Sequence, residues 1–230
     1  MDTLRIIAHI HTDFPEKFGL PRQSGIVKSA TGYIEFEPEY KNPSFIKGLD
    51  EFTHLWLLWE FEGVKRENIS ALVRPPRLGG NETRGVFATR SPFRPNPIGL
   101  SSVKLESIDF TENGPIIKVS GIDMRDNTPI FDIKPYLQYA DSHPEASNGF
   151  AGRFLEDSLK VIFPDSCKEG FTKDQLDTII QILKDDPRPH YQNDPERIYG
   201  VSFAGHNIRF TVNDNTLTVI DCLEDKNENR

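Results

Sequence analysis

The sequence predicts a mainly β protein with a smaller α+β unit at its C-terminal end. Three observations carry this: 16 Phe among 230 residues, 17 Pro spread along the chain, and only one long segment with clean helical periodicity. Aromatic and β-branched residues suit a pleated, half-buried surface, whereas frequent prolines interrupt helices.

The first strands are expected at Leu4 to His11, Thr31 to Glu37 and Thr53 to Phe61. The third is almost continuously apolar through Leu55, Trp56, Leu57, Leu58 and Trp59. It reads as a strand covered on both faces, at the heart of the first domain. Gly85 to Thr89, Ser101 to Phe110, Ile116 to Gly121 and Pro129 to Lys134 follow, with a turn at Glu112-Asn113-Gly114-Pro115. After Ala140 the texture changes, because Asp141 to Arg153 mixes Ser, His, Pro, Asn and Gly without periodicity. A boundary there divides the chain into residues 1–140 and 141–230.

In the second unit, a strand is expected at Leu159 to Phe163 and a helix at Lys173 to Lys184. Thr172 with Gln175 three residues on is a capping-box pattern, and Leu176, Ile179, Ile180 and Leu183 form one apolar stripe. Pro187 closes the helix. Ile198 to Phe203, Ile208 to Val212 and Thr216 to Cys222 read as strands, the last two joined at Asn213-Asp214-Asn215. The charged tail from Glu224 is expected to fray.

Composition excludes several classes. No run approaches the roughly 18 apolar residues of a membrane span, and Met1 to Ile10 lacks a signal peptide's apolar stretch, so a soluble cytoplasmic protein is expected. Cys167 and Cys222 are too few for a disulfide framework or a four-cysteine zinc site, and the six histidines show no zinc-ligand spacing, so no metal is expected. There is no Walker loop, no dinucleotide fingerprint around Gly79-Gly80 and no GxSxG elbow at Ser101-Ser102.

Net charge is -8, which argues against a polyanionic partner until it is divided along the chain. Residues 1–140 hold 17 basic and 18 acidic side chains, a net of -1, so the remaining -7 belongs to residues 141–230. Between Leu72 and Lys104 there are six basic residues against one acidic, Glu82, a net of +5. Within this stretch, Arg74 to Leu100 contains five Arg, five Pro and four Gly. Proline fixes φ and glycine opens other backbone geometries, so this is a long loop of specified shape. Its arginines, interleaved with Phe87 and Phe93, suit phosphates and stacked bases. The plain alternative is a shaped surface turn with solvated arginines.

Two shorter clusters stand out. Pro21-Arg22-Gln23-Ser24-Gly25 is a polar turn between strands. Asp132, Lys134 and Tyr136 would share one face of a strand, bringing a carboxylate, an ammonium and a phenol together. Such a triple can move a proton, although a surface ion pair beside a packed tyrosine fits the pattern equally.

The run Gly85-Val86-Phe87-Ala88-Thr89-Arg90-Ser91-Pro92-Phe93-Arg94-Pro95-Asn96-Pro97-Ile98-Gly99-Leu100-Ser101 closely resembles the signature of the TsaA-like (TrmO) family of S-adenosylmethionine-dependent tRNA methyltransferases. The resemblance extends to Pro21-Arg22-Gln23, Gly48-Leu49, Phe52 to Trp56, Arg74 to Asn81 and Asp132 to Tyr136, and so covers residues 1–140. Asp186-Pro187-Arg188-Pro189 and Tyr199 to Phe210 look like the smaller C-terminal domain of bacterial members.

The resemblance implies a closed β-barrel-like methyltransferase domain, neither Rossmann nor knotted, acting as a homodimer. The implied reaction methylates N6 of N6-threonylcarbamoyladenosine beside the anticodon of threonine tRNAs. On the motif positions, S-adenosylmethionine falls to Arg22, Gln23, Ser24, Phe61, Glu62, Arg90, Leu100, Gly121, Ile122 and Asp123. Independently of the motif positions, Arg74, Arg77 and Arg94 are the candidates for the tRNA backbone, and side-chain convergence makes Asp132, Lys134 and Tyr136 the candidates for proton handling. A non-catalytic S-adenosylmethionine- or RNA-binding module of the same fold is the alternative.

Overall fold

The computed structural model describes residues 4–64, 70–78, 82–154, 158–188 and 194–225; the side chains of Arg77 and Phe154 are not described. Gly79 to Asn81, Pro189 and the tail beyond residue 225 lie outside the described residues.

Six strands close into a barrel: β1 (Ala8–Thr12), β2 (Thr31–Phe36), β3 (His54–Glu60), β6 (Ile98–Thr111), β7 (Gly114–Ser120) and β8 (Thr128–Pro135), in the order β1-β2-β7-β6-β3-β8. Between β3 and β6 lies a two-stranded ribbon, β4 (Leu72–Val73) with β5 (Arg84–Gly85). All barrel pairings are antiparallel, and β1 with β8 completes the circuit through Ala8↔Ile130, His9↔Pro129 and Ile10↔Thr128. Alternation puts one side chain in two into the barrel: Ala8, Ile10, Ile34, Leu55, Leu57, Val103, Ile117, Val119 and Ile130 are all buried there.

The apolar run in β3 has a different cause from the expected two-sided cover. Leu55, Leu57 and Trp59 point inward, while Trp56 and Leu58 lie half-buried on the outer face. Trp56 donates its indole N–H to Asp141 Oδ2 at 2.9 Å and packs 5.5 Å from the Tyr136 ring, so a local aromatic patch covers the outer face. The helical turn α1 (Gln138–Asp141) supplies that carboxylate, which also accepts the Leu137 N–H at 2.8 Å.

The expected strand at Gly85 to Thr89 contracts to Arg84–Gly85, and Val86–Ala88 form a 3-10 turn instead. The Thr89 hydroxyl donates to the Val86 carbonyl at 2.9 Å, a local bond that competes with strand pairing. The first strand begins at Ala8 rather than Leu4, and the expected turn joins β6 to β7 through the pair Thr111↔Gly114.

The C-terminal sheet has the order β10-β11-β12-β9, from β9 (Lys160–Ile162), β10 (Tyr199–Phe203), β11 (His206–Asn213) and β12 (Thr216–Glu224). One face is covered by α2 (Lys173–Lys184), whose capping box forms as expected: Gln175 N–H reaches Thr172 Oγ1 at 3.2 Å and Thr172 N–H reaches Gln175 Oε1 at 2.9 Å. The buried face of α2 is Thr178, Ile179, Ile182 and Leu183, rotated from the expected stripe so that Leu176 and Ile180 are only half-buried. The reason is Thr178, whose hydroxyl donates to Ser29 Oγ at 2.9 Å across to the barrel half.

That contact is one of several that join the halves into one packed body. Phe14 and Phe203 rings lie 5.0 Å apart, Gln175 Nε2 donates to Asp13 Oδ2 at 3.0 Å, and Ala204 N–H donates to the Asp13 carbonyl at 2.9 Å. Among the described residues, no helix is long and apolar enough to cross a membrane, and no group of three or more metal-ligating side chains occurs.

Gly99 on β6 faces the Trp59 indole, and a Cβ built there would stand 2.2 Å from Trp59 Cε2. Trp59 is locked between the barrel interior and this backbone, so it has no room to retreat. Gly99→Ala should destabilise the fold by about 1–3 kcal/mol through overpacking, seen as a lowered denaturation midpoint. An unchanged midpoint would mean that Trp59 moves freely.

Candidate functional site

β6 and β7 separate at one end of the barrel, because their pairing stops at Lys104↔Ser120 while β6 continues back to Ile98. Into this gap fits the turn Pro21 to Gly25. Ser102 N–H donates to Ser24 Oγ at 3.2 Å, Gly25 N–H to the Gly121 carbonyl at 2.8 Å, and Gly121 N–H to the Ala30 carbonyl at 2.8 Å. Backbone groups that the parting strands leave unpaired are thereby satisfied. Three segments distant in sequence, 21–25, 99–102 and 121–123, meet here.

A directed relay lies beneath the turn. Trp59 Nε1 donates to Ser101 Oγ at 2.9 Å, and the Ser101 hydroxyl donates to Asp123 Oδ1 at 2.6 Å. Burial pushes the Asp123 carboxyl above its ordinary value, against the hydrogen bonds from Ser101, the Ser24 N–H and its own N–H, and against the charge of Arg90. Trp59, Gly99 and Ser101 were not singled out by sequence for this role. Their signal is the inward parity of Gly99, Ser101 and Val103 on β6, which places a small hydroxyl where a barrel otherwise carries an aliphatic side chain.

The remaining members line the rim. Arg90 Nη1 donates to Gln23 Oε1, and Gln23 Nε2 donates to the Arg22 carbonyl at 2.5 Å. The Phe61 ring lies 4.3 Å from that of Trp59, and Phe61 N–H donates to the Pro97 carbonyl at 2.8 Å. Glu62 pairs with Arg125, and its carbonyl accepts Lys17 Nζ at 3.0 Å. Leu100 is 55% exposed on the outer face of β6.

The Arg-Pro loop is held by its own short bonds. Ser91 N–H reaches Thr89 Oγ1, and Phe93 N–H reaches Ser91 Oγ, each at 3.2 Å. These hydroxyl turns, with the prolines between them, explain a long connection without regular structure. Arg94 Nη1 donates to the Thr89 carbonyl at 3.2 Å and so braces the loop, whereas Arg74 is exposed. The Arg77 side chain lies outside the described residues. Phe87 and Phe93 are exposed on the same loop.

Asp132 and Lys134 form an exposed ion pair at 2.8 Å, and Asp132 Oδ1 accepts the Ile133 N–H at 3.0 Å. The hydrogen bond from Lys134 to Asp132 raises the ammonium's pKa. Tyr136 lies just beyond β8, packed against Trp56 and, at 6.2 Å, His54. Leu58 pairs with Leu100 on one side and Asp132 on the other, so the pair and the rim share the outer face. Two strand spacings, about 10 Å, separate Asp132 from Leu100.

This donor set suits S-adenosylmethionine. A bound S-adenosylmethionine would meet the carboxyl groups of Asp123 and Glu62, the guanidinium edges of Arg22 and Arg90 beside their present bonds, and the apolar surfaces of Phe61 and Leu100. The half-buried Asp123, its carboxyl raised by burial and hydrogen-bonded by Ser101, is the observation that favours a polar occupant.

Asp123 also makes a pH prediction. Its folded pKa is raised above the ordinary 3.8, so the folded state binds the proton more tightly and ionisation lowers stability. The cost is absent well below that value and complete above the raised pKa. Relative to Asp123→Asn, the unaltered protein should therefore lose stability as pH rises across this window in urea titrations. A pH-independent difference between the two would contradict the assignment.

Both halves of the chain match family models, tRNA-methyltransferase O N-terminal domain over residues 9–142 and TrmO C-terminal domain over residues 156–225. A tRNA (adenine(37)-N6)-methyltransferase of Escherichia coli is 40% identical over 216 residues, spanning 90% of this chain and 92% of that protein. A putative S-adenosylmethionine-dependent methyltransferase of Pseudomonas aeruginosa is 38% identical over 203 residues, spanning 85% and 86%. The crystal structure of TrmO from Pseudomonas aeruginosa superposes with a TM-score of 0.77 at 30% identity, covering 96% of this chain and 98% of that one. With both halves matched by its models and nearly the whole chain superposing on a solved member, this chain belongs to the TrmO family of tRNA methyltransferases.

Proposed function

We propose that the protein transfers the methyl group of S-adenosylmethionine to N6 of adenosine 37 in tRNA, with N6-threonylcarbamoyladenosine of threonine tRNAs as the modified base it acts on. The convergence of Arg22 to Ser24, Leu100 and Gly121 to Asp123 around the Ser101–Asp123 bond carries this reading. The relatives named for adenine-37 methylation support it, and a cytoplasmic location belongs with it.

S-adenosylmethionine supplies an activated methyl on a sulfonium, so the protein's share is alignment, exclusion of water and management of one proton. Rim residues Arg22, Gln23, Arg90 and Asp123 bind and orient. A carbamoylated N6 is a poor nucleophile until its N–H is lost, and Asp132 is the carboxylate on the outer face beside the rim that takes up this proton. Lys134, kept protonated by its bond to Asp132, stabilises negative charge on the urea oxygen. Incubation with labelled S-adenosylmethionine and tRNA carrying or lacking the threonylcarbamoyl group, followed by nucleoside mass analysis, tests the reaction. Asp132→Asn and Lys134→Ala should each slow single turnover about 100-fold, as loss of proton handling does. Near-normal rates in both would remove these two from the mechanism.

In this reading the tRNA backbone is assigned to Arg74 and Arg94, with Arg77 assigned by sequence alone, and a homodimer forms over the exposed Phe87 and Phe93. Arg74→Ala should make the dependence of log affinity on log salt shallower by about one phosphate's contribution. Phe87→Ser with Phe93→Ser should sediment as a monomer. Unchanged salt slopes and sedimentation would dismiss both assignments.

A further inference from the structure

The segment after α2 is built around an arginine for which the proposed reaction has no use. Arg188 is only 8% exposed. Its Nε donates to Asp186 Oδ1 at 2.8 Å and its Nη2 to Asp186 Oδ2 at 2.9 Å, while its backbone N–H reaches Oδ1 at 3.2 Å. The guanidinium lies 5.7 Å from the centre of the Tyr199 ring, which stacks on Phe210 in the sheet core. A forked pair backed by an aromatic ring has one geometry, and removing either partner costs a buried, doubly hydrogen-bonded charge contact.

The clamp reaches the barrel. Asp186 is held at φ 48°, a left-handed conformation that Asp tolerates better than most residues. In this conformation its carbonyl accepts a hydrogen bond from Arg22 Nη2. Around that bond, Leu20, Pro21 and Val27 from the barrel half meet Ile182, Asp185 and Pro187 from the C-terminal half. Arg22 belongs to the turn that fills the gap between β6 and β7, and its neighbour Gln23 is the residue that Arg90 grips.

We infer that Asp186 and Arg188 are positioning residues, through which the C-terminal half holds the Arg22–Ser24 turn in the geometry that binds the methyl donor. The inference rests on the proposed assignment of that turn to S-adenosylmethionine. It gives the acidic half a task that needs no contact with phosphate: Asp186 and Arg188 neutralise one another, and the contact to Arg22 runs through a backbone carbonyl. It also gives the Asp186-Pro187-Arg188 run a physical reason, since Pro187 fixes φ between the two charged partners.

Three readouts on the full chain test it: S-adenosylmethionine affinity, tRNA affinity across salt, and amide hydrogen exchange at residues 22–25 without ligand. Arg188→Ala should weaken S-adenosylmethionine binding and speed that exchange, each about tenfold, and leave tRNA affinity and its salt slope unchanged. Arg188→Lys keeps the charge but loses the fork, so it should fall close to Arg188→Ala. The double variant Arg22→Ala with Arg188→Ala should bind no more weakly than Arg22→Ala alone. If Arg188→Ala does not fold, Asp186→Asn keeps the left-handed tolerance and side-chain size and is read in the same way.

Unchanged exchange at residues 22–25, or losses that multiply in the double variant, would overturn the inference. So would weaker tRNA binding with a shallower salt slope, which would make Arg188 a phosphate contact. Faster exchange in Arg188→Ala, with Arg22→Ala leaving S-adenosylmethionine affinity intact, would support the clamp and refute the cofactor assignment of the turn.

Discussion

The pairing of Ala8 to Ile10 with Thr128 to Ile130 joins the first barrel strand to the last and removes both sheet edges at once. An open six-stranded sheet would leave Ile10, Ile34, Leu57 and Ile117 on a face needing some other cover; closure turns that face in on itself. The outer surface is then released from core packing. It can carry polar residues at every second position: His9 and His11 stand there beside Glu37 and Asp126, and Asp132 pairs with Lys134. The helices common to nucleotide-binding α/β folds have no place in this arrangement, and the rim, where strands end, is where backbone groups are left to be satisfied.

A closed barrel of unequal strands does not end evenly, and here the mismatch builds the candidate site. β6 runs 14 residues and its partner β7 only seven, so the ladder runs out while β6 still has backbone groups to satisfy. The Pro21 to Gly25 turn fills that gap with hydrogen bonds, and the same bonds bring Ser24 over Asp123. Beneath it the Trp59, Ser101 and Asp123 chain has a single donor-to-acceptor direction, which keeps the carboxylate oriented at the cost of burying it. Structural satisfaction and the proposed ligand chemistry therefore fall on one set of residues.

The two halves of the molecule are coupled by packing rather than tethered. Gly19, at φ 90°, lies so close to Val201 that a Cβ there would stand 2.5 Å from Val201 Cγ1, and Phe14 reaches Phe203 across the same seam. Net charge is distributed along the same division: the arginine loop belongs to the barrel, and -7 of the chain's -8 belongs to the other half. Mutual repulsion between tRNA and the acidic half would favour an approach from the arginine-bearing side, so whole-chain charge is a poor guide to the partner.

The chain's local patterns determined a good deal unaided. Alternating apolar residues located nearly every strand, because burial on one side of a pleat imposes a period of two; Thr172 and Gln175 located the start of α2, because the capping box satisfies its donors within four residues. The Arg-Pro loop and the Pro21 turn were legible as functional candidates from composition and family resemblance. Tertiary structure decided the rest. Whether the sheet closes, that Ser101 faces Asp123 rather than solvent, that Thr178 turns the buried face of α2, and that Asp186 meets Arg22 across 164 positions are matters of register and shape. Local sequence carries no information on these, since each depends on which distant backbone is left with an unpaired group when the strands of a closed barrel run out.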